Sequence, residues 1–208
     1  MLPENTVIRA EARETLKGRW GQAILVMFIY GAATAIWSIP GNFKADKETF
    51  NLVTDFMFPA ISFVISGPLA FGLAHFILSF IRNEEFEVPQ LFDGFKQFSR
   101  TFTVTVLIAI FVVLWSLLLI VPGIIAALRY SQTFFILKDN PEMSPQQAIK
   151  ESMRLMNGYK MKLFTLGLSF IGWALLGCVT LGIGFLWIAP YIETSMAIFY
   201  QKRIEETA

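Results

Sequence analysis

Residues 101–128 run 28 positions without a single formal charge. About 20 apolar residues cross a bilayer, so a run of this length is too long for one untilted helix. Pro122-Gly123 falls inside it, and a Pro-Gly pair supplies a turn. The stretch 114–140, LWSLLLIVPGIIAALRYSQTFFILKDN, therefore reads as a tight hairpin of two membrane helices. One guanidinium, Arg129, lies within the second helix, which exits at Asp139-Asn140.

Similar punctuation recurs along the chain. Residues 163–192 are uncharged, and Gly182 and Gly184 in TLGIG mark a second tight hairpin. Residues 57–81 carry only His75 and are interrupted at Ser66-Gly67-Pro68, so the helix is expected to begin in earnest only near Pro68. Another apolar run starts at Trp20 and stops before Pro40-Gly41. Charged residues make up 16% of the chain, against about 25% in soluble domains. The expected fold is all-α: a polytopic membrane protein forming one integral membrane domain over 1–208. Six transmembrane helices are placed at about 20–39, 59–81, 101–121, 123–138, 163–181 and 183–200, as three hairpins. A net charge of +1 argues against a nucleic-acid partner, which calls for a strong basic excess. The lone Cys178 allows no internal disulfide and reads as a small packed side chain. The mixed-charge first twenty residues, with no small-residue cleavage site, do not read as a cleavable signal peptide.

An amphipathic segment precedes each hairpin. In 5–19, Ile8, Ala12 and Leu16 share one face, and Arg9, Arg13 and Lys17 form a basic stripe at the same spacing. Like charges four apart repel. Anionic lipid headgroups would neutralise them, or Glu11 and Glu14 already offset a merely solvated face. In 89–100, Leu91, Phe92, Phe95 and Phe98 make the face of a short interfacial helix. In 144–160, Ser144-Pro145-Gln146-Gln147 is a capping box with proline in the first turn. Lys and Arg number fourteen over the termini and the two amphipathic connectors, against two in the loop after the first helix and none in the hairpin turns. This asymmetry assigns the connectors and both termini to the cytoplasm, and the protein to the cell (cytoplasmic) membrane. The junctions LKGRWGQAIL, GFKQFSRTFTV and MNGYKMKLFTL, with Pro68, Pro122 and Pro190 on the returning helices, suggest a threefold internal repeat.

Motifs for catalysis are missing: no HExxH, GxSxG, Walker loop or dinucleotide fingerprint. With one His and one Cys the chain builds no His/Cys metal site, so no enzyme, metal or cofactor is expected. The candidate chemistry lies in three ionisable residues within apolar runs, His75, Arg129 and Glu193, because such residues face a partner or a cavity. The helical rise puts Arg129 and Glu193 ~10 and ~14 Å below turns on the same side, compatible with an ion pair. Tyr130, Gln132 and Tyr191, with Ser131, Thr194 and Ser195, would complete a polar core. Such a pair is either a lock for helix packing or the lining of a headgroup or solute cavity. His75 is either a satisfied buried imidazole or a proton relay.

The residues 114–176, followed by TLGIGFLWIAPYIETSMAIFY, are similar to the bacterial integral-membrane family called domain of unknown function 975. GPLAFG, LFDGF and RxxARxxLKGRW fit the same pattern in the same order. The resemblance spans nearly the whole chain and implies a six-helix membrane protein, with no catalytic residue to carry over. A looser resemblance is to the membrane module of glycerophosphodiester phosphodiesterases. Two functions are compatible with these features. One is binding or moving an amphiphile, lipid or small solute through a polar intramembrane core. The other is a non-transporting scaffold or envelope-stress accessory that docks a membrane protein partner through its cytoplasmic amphipathic helices.

Overall fold

The computed structural model describes residues 2–35, 56–85 and 87–207. Regular structure there is helical, with no strand among the described residues. In chain order the helices are α1 (Asn5–Leu16), α2 (Trp20–Ala35), α3 (Phe58–Arg82), a 3-10 turn (Val88–Phe92), α4 (Asp93–Lys96), α5 (Phe98–Leu118), α6 (Ile120–Tyr130), α7 (Thr133–Asp139), α8 (Pro145–Leu155), α9 (Lys160–Leu168), α10 (Ile171–Val179) and α11 (Phe185–Thr207). Four stretches are long and apolar enough to cross a membrane: Phe58–Arg82, Phe98–Leu118, Ile120–Asp139 and Lys160–Val179. Trp20–Thr34 is apolar but shorter, and the expected end of that helix at Pro40 lies outside the described residues.

The surface is that of a chain whose solvent is lipid. Leu117, Ile120, Val179 and Leu181, beside the break between α5 and α6 and the one between α10 and α11, are each more than three-quarters exposed. Water-soluble monomers rarely expose contiguous apolar patches of this kind. Trp115, Trp173 and Trp187 are also exposed, and tryptophan is a residue type that favours a membrane interface.

Several boundaries differ from the sequence reading. The break expected at Pro122-Gly123 falls instead at Leu119, three residues earlier, whose backbone is extended (φ −164°, ψ 153°). Pro122 sits in the first turn of α6, where its missing N–H would have had no helical partner anyway. Nor does Ser66-Gly67-Pro68 interrupt α3, which runs through Pro68. The paired motifs GPLAFG and LFDGF explain themselves by packing. A Cβ at Gly72 would lie 1.8 Å from the Leu91 carbonyl oxygen, and one at Gly94 would lie 2.1 Å from that of Pro68. Only bare backbone permits this approach, so the connector is pressed against α3 rather than forming a separate interfacial helix over 89–100. Of its expected apolar face, Leu91 is buried, while Phe92, Phe95 and Phe98 are exposed.

The segments at either end of the bundle behave more as expected. The capping box of α8 is formed, with Ser144 Oγ accepting from Gln147 N and Ser144 N donating to Gln147 Oε1. Gly18 and Gly158 follow α1 and α8 in left-handed backbone (φ 77° and 80°) and aim the chain into α2 and α9. Ile8, Ala12 and Leu16 of α1 are buried, and α1 packs along α11. The last helix, expected to end at about 200, continues as α11 to Thr207.

Candidate functional site

Two cavities flank α6, and each holds one of the charges that the sequence would have paired. The first measures about 440 Å³ between α5, α6 and α8. From α5 come Leu107, Phe111 and Trp115, one stripe at four-residue spacing. From α8 come Gln146, Ile149, Lys150 and Met153, a stripe at three and four. Arg129 and Tyr130, at the end of α6, close it. Tyr130 is buried and its ring lies 5.8 Å from that of Phe111. Ser152 Oγ donates to the Arg129 carbonyl at 2.8 Å, so α8 is fastened to a helix end whose carbonyls lack intrahelical partners.

The second cavity measures about 530 Å³, on the other flank, walled by α6, α7, α9 and α11. Ile124, Leu128 and Ser131 face it, with Gln132 just before α7 and Phe135 within it, Leu163, Phe164 and Leu168 from α9, and Glu193 and Met196 from α11. Gln132 is 1% exposed, and its carbonyl oxygen has no hydrogen-bond partner.

Arg129 and Glu193 do not pair. No ion pair or hydrogen bond links their side chains, and neither side chain makes one with any described residue. Rise along a helix sets depth, but the 100° turn per residue sets the face, and the two charges look to opposite flanks of α6. The single polar core is corrected accordingly. His75 is elsewhere again, 3.4 Å from Asp93 Oδ2 in a cavity of about 190 Å³ with Lys96, Arg100 and Lys138. Tyr191 serves packing: it is buried, edge-on to Phe170 at 5.0 Å and Trp173 at 6.2 Å.

A family model described as a protein of unknown function (DUF975) matches residues 1–127 and 117–207, two overlapping segments that together take in nearly the whole chain. The chain belongs to the DUF975 family. No curated protein and no solved structure matches it, so the looser likeness to a phosphodiesterase membrane module gains no support.

A charge lock does exist in this DUF975 protein, built from residues that the sequence reading passed over. Arg82 at the end of α3 donates to both Asp139 oxygens at 2.7 and 2.8 Å, and to Gln201 Oε1 at 3.2 and 3.0 Å. Tyr200 OH donates to Asp139 Oδ2 at 2.9 Å. Three helices, α3, α7 and α11, are thereby joined at one end of the bundle. Other cations of the DUF975 chain are also spent on staples. Arg100 donates to the Asn140 and Met143 carbonyls. Arg203 donates to the Leu155 carbonyl, pairs with Glu206 and lies 3.7 Å over the Tyr159 ring. Arg19 donates to the Phe80 carbonyl.

The N-terminal stripe is divided. Arg9 donates to the Ser169 carbonyl, whereas Arg13 and Lys17 are exposed, with Lys17 3.7 Å from Glu14. No group of three or more His, Cys, Asp or Glu that could hold a metal occurs among the described residues.

Proposed function

We propose that this DUF975 protein spans the cytoplasmic membrane six times, with both termini cytoplasmic, and binds the head of an anionic amphiphile beneath α8. It acts as a binder rather than a catalyst. One observation carries the reading. Arg129, alone in an apolar run, has a guanidinium with no partner among the described residues, while Arg82, Arg100, Arg154 and Arg203 are all engaged. Lys150, likewise without a partner, lines the same cavity. Arg129 and the exposed Lys150 stand around one cavity whose lining holds no carboxylate, and an anion there would meet both. A phosphate oxygen suits the guanidinium, which donates in a planar fork. Leu107, Phe111, Trp115 and Met153 supply apolar walls, and the exposure of Phe111 and Trp115 leaves that side open for an acyl chain. The exposed Arg13 and Lys17 add a second, weaker attraction to an anionic surface.

The test uses the full-length protein in nanodiscs of phosphatidylcholine doped with phosphatidylglycerol, with co-purified lipid counted by native mass spectrometry. Wild type should retain the anionic lipid preferentially. Losing charge-assisted hydrogen bonds in Arg129→Met should weaken retention about tenfold or more. Equal retention by wild type and variant would refute the site and favour a scaffold acting through its cytoplasmic helices.

A further inference from the structure

The second cavity has the opposite chemistry, and we propose that it binds an organic ammonium carrying an apolar body. This rests on different residues from the anion site and stands independently of it. Glu193 faces about 530 Å³ of mostly apolar space without a hydrogen bond or ion pair from any described residue. A carboxyl so placed is costly unless something donates to it.

Gln132 supplies the second, separate observation. Its orientation follows from its neighbours. Ser131 Oγ gives its proton to the Leu128 carbonyl at 2.9 Å, so that oxygen can only accept from the amide 2.9 Å away. The Gln132 NH2 group must therefore face Ser131, which leaves Oε1 as a buried acceptor with nothing donating to it. Protonating Glu193 would relieve the carboxyl but would do nothing for this amide. A ligand that donates hydrogen bonds and carries positive charge satisfies both, and a primary ammonium has three such protons. The walls specify the rest of the molecule: Phe135, Leu163, Phe164 and Met196 offer only apolar contact. Ile124 and Leu168 are each more than two-fifths exposed, so this wall reaches the apolar surface, and the ligand's chain can enter from the lipid.

Thermal unfolding of the purified full-length chain in neutral detergent would test this with decylammonium, decanol, decyl sulfate and sodium ions. Decylammonium should raise the midpoint of wild type, while the other three should not. Phosphatidylethanolamine, added in a separate arm, distinguishes a lipid ammonium from a free amine, since both present the same group. Glu193→Gln should weaken binding of the active probe about tenfold or more. If that variant is too unstable to measure, Gln132→Glu serves instead: a second carboxylate should tighten ammonium binding. An equal shift in wild type and Glu193→Gln, an equal response to decanol, a sodium response lost in Glu193→Gln, or looser binding by Gln132→Glu would each overturn the proposal.

Discussion

Replacing Asp139 should damage this protein more than removing a charge that stands in solvent. Its carboxylate accepts from both Arg82 nitrogens and from Tyr200, and so carries the junction of α3, α7 and α11. Breaking a buried ion pair costs about 3–5 kcal/mol and breaking an exposed one less than about 1. The Arg82 and Asp139 side chains are 27% and 18% exposed, which places the pair nearer the buried limit. Asp139→Leu strands the guanidinium and the phenol, although Arg82 keeps Gln201. A loss of roughly 2–3 kcal/mol follows from discounting the buried figure for partial solvation. For a chain of this size that is a fall of roughly 5–10 °C in unfolding midpoint. Thermal unfolding in detergent, followed by size-exclusion fluorescence, reads it directly. Arg82→Met and the double variant complete a cycle whose coupling should exceed about 1 kcal/mol. Additive losses, with coupling below about 0.5 kcal/mol, would mean that the contact does not hold the helices together.

Other outcomes follow from the same contacts. Gly72→Ala places a Cβ against the Leu91 carbonyl and should cost about 1–3 kcal/mol, whereas Gly21→Ala meets nothing within 4 Å in α2 and should stabilise by about 0.5–1 kcal/mol; thermal midpoints compare them. Arg154, bonded to Glu151 at 2.8 and 2.6 Å, holds that carboxyl below its ordinary 4.5. Its folded pKa being depressed, the pair adds stability above pH 4.5 and loses it as the pH falls through the lowered value. With Arg154 63% exposed the effect is small, under about 0.5 kcal/mol, and the acid limb of the stability profile should flatten by that amount in Glu151→Gln. Cysteines at positions 44 and 48 should react with a membrane-impermeant thiol reagent in intact cells, and those at 87 and 151 should not; the reverse pattern would invert the topology.

Much of this architecture is written in the residue order because bilayer thickness converts run length into spans. The uncharged stretch 101–128 is divided between α5 and α6 by a break at Leu119, and 163–192 is divided among α9, α10 and α11. Ser144 and Gln147 announce α8 because a capping box is a local contact. The turn at Leu119 was misplaced because proline breaks a helix in its interior but is tolerated in its first turn. The site was half legible. Arg129 and Glu193 stood out by their cost in apolar runs, yet the face each presents depends on helix packing, which no spacing within one helix reveals. The Arg82–Asp139–Tyr200 lock was invisible for a related reason. Its members are unremarkable polar residues at helix ends until three distant helices bring them together. Backbone carbonyls, the partners of Arg19, Arg100 and Arg203, leave no trace in residue identity at all.

The central claim is that the space beneath α8 is a seat for an anionic head. An experimental density map of the protein in nanodiscs containing phosphatidylglycerol addresses it most directly. The predicted result is an elongated density between α5 and α8, its head within hydrogen-bond distance of the Arg129 guanidinium and near Lys150. A map in which Arg129 instead contacts a protein carboxylate, with side chains filling the cavity, would contradict it.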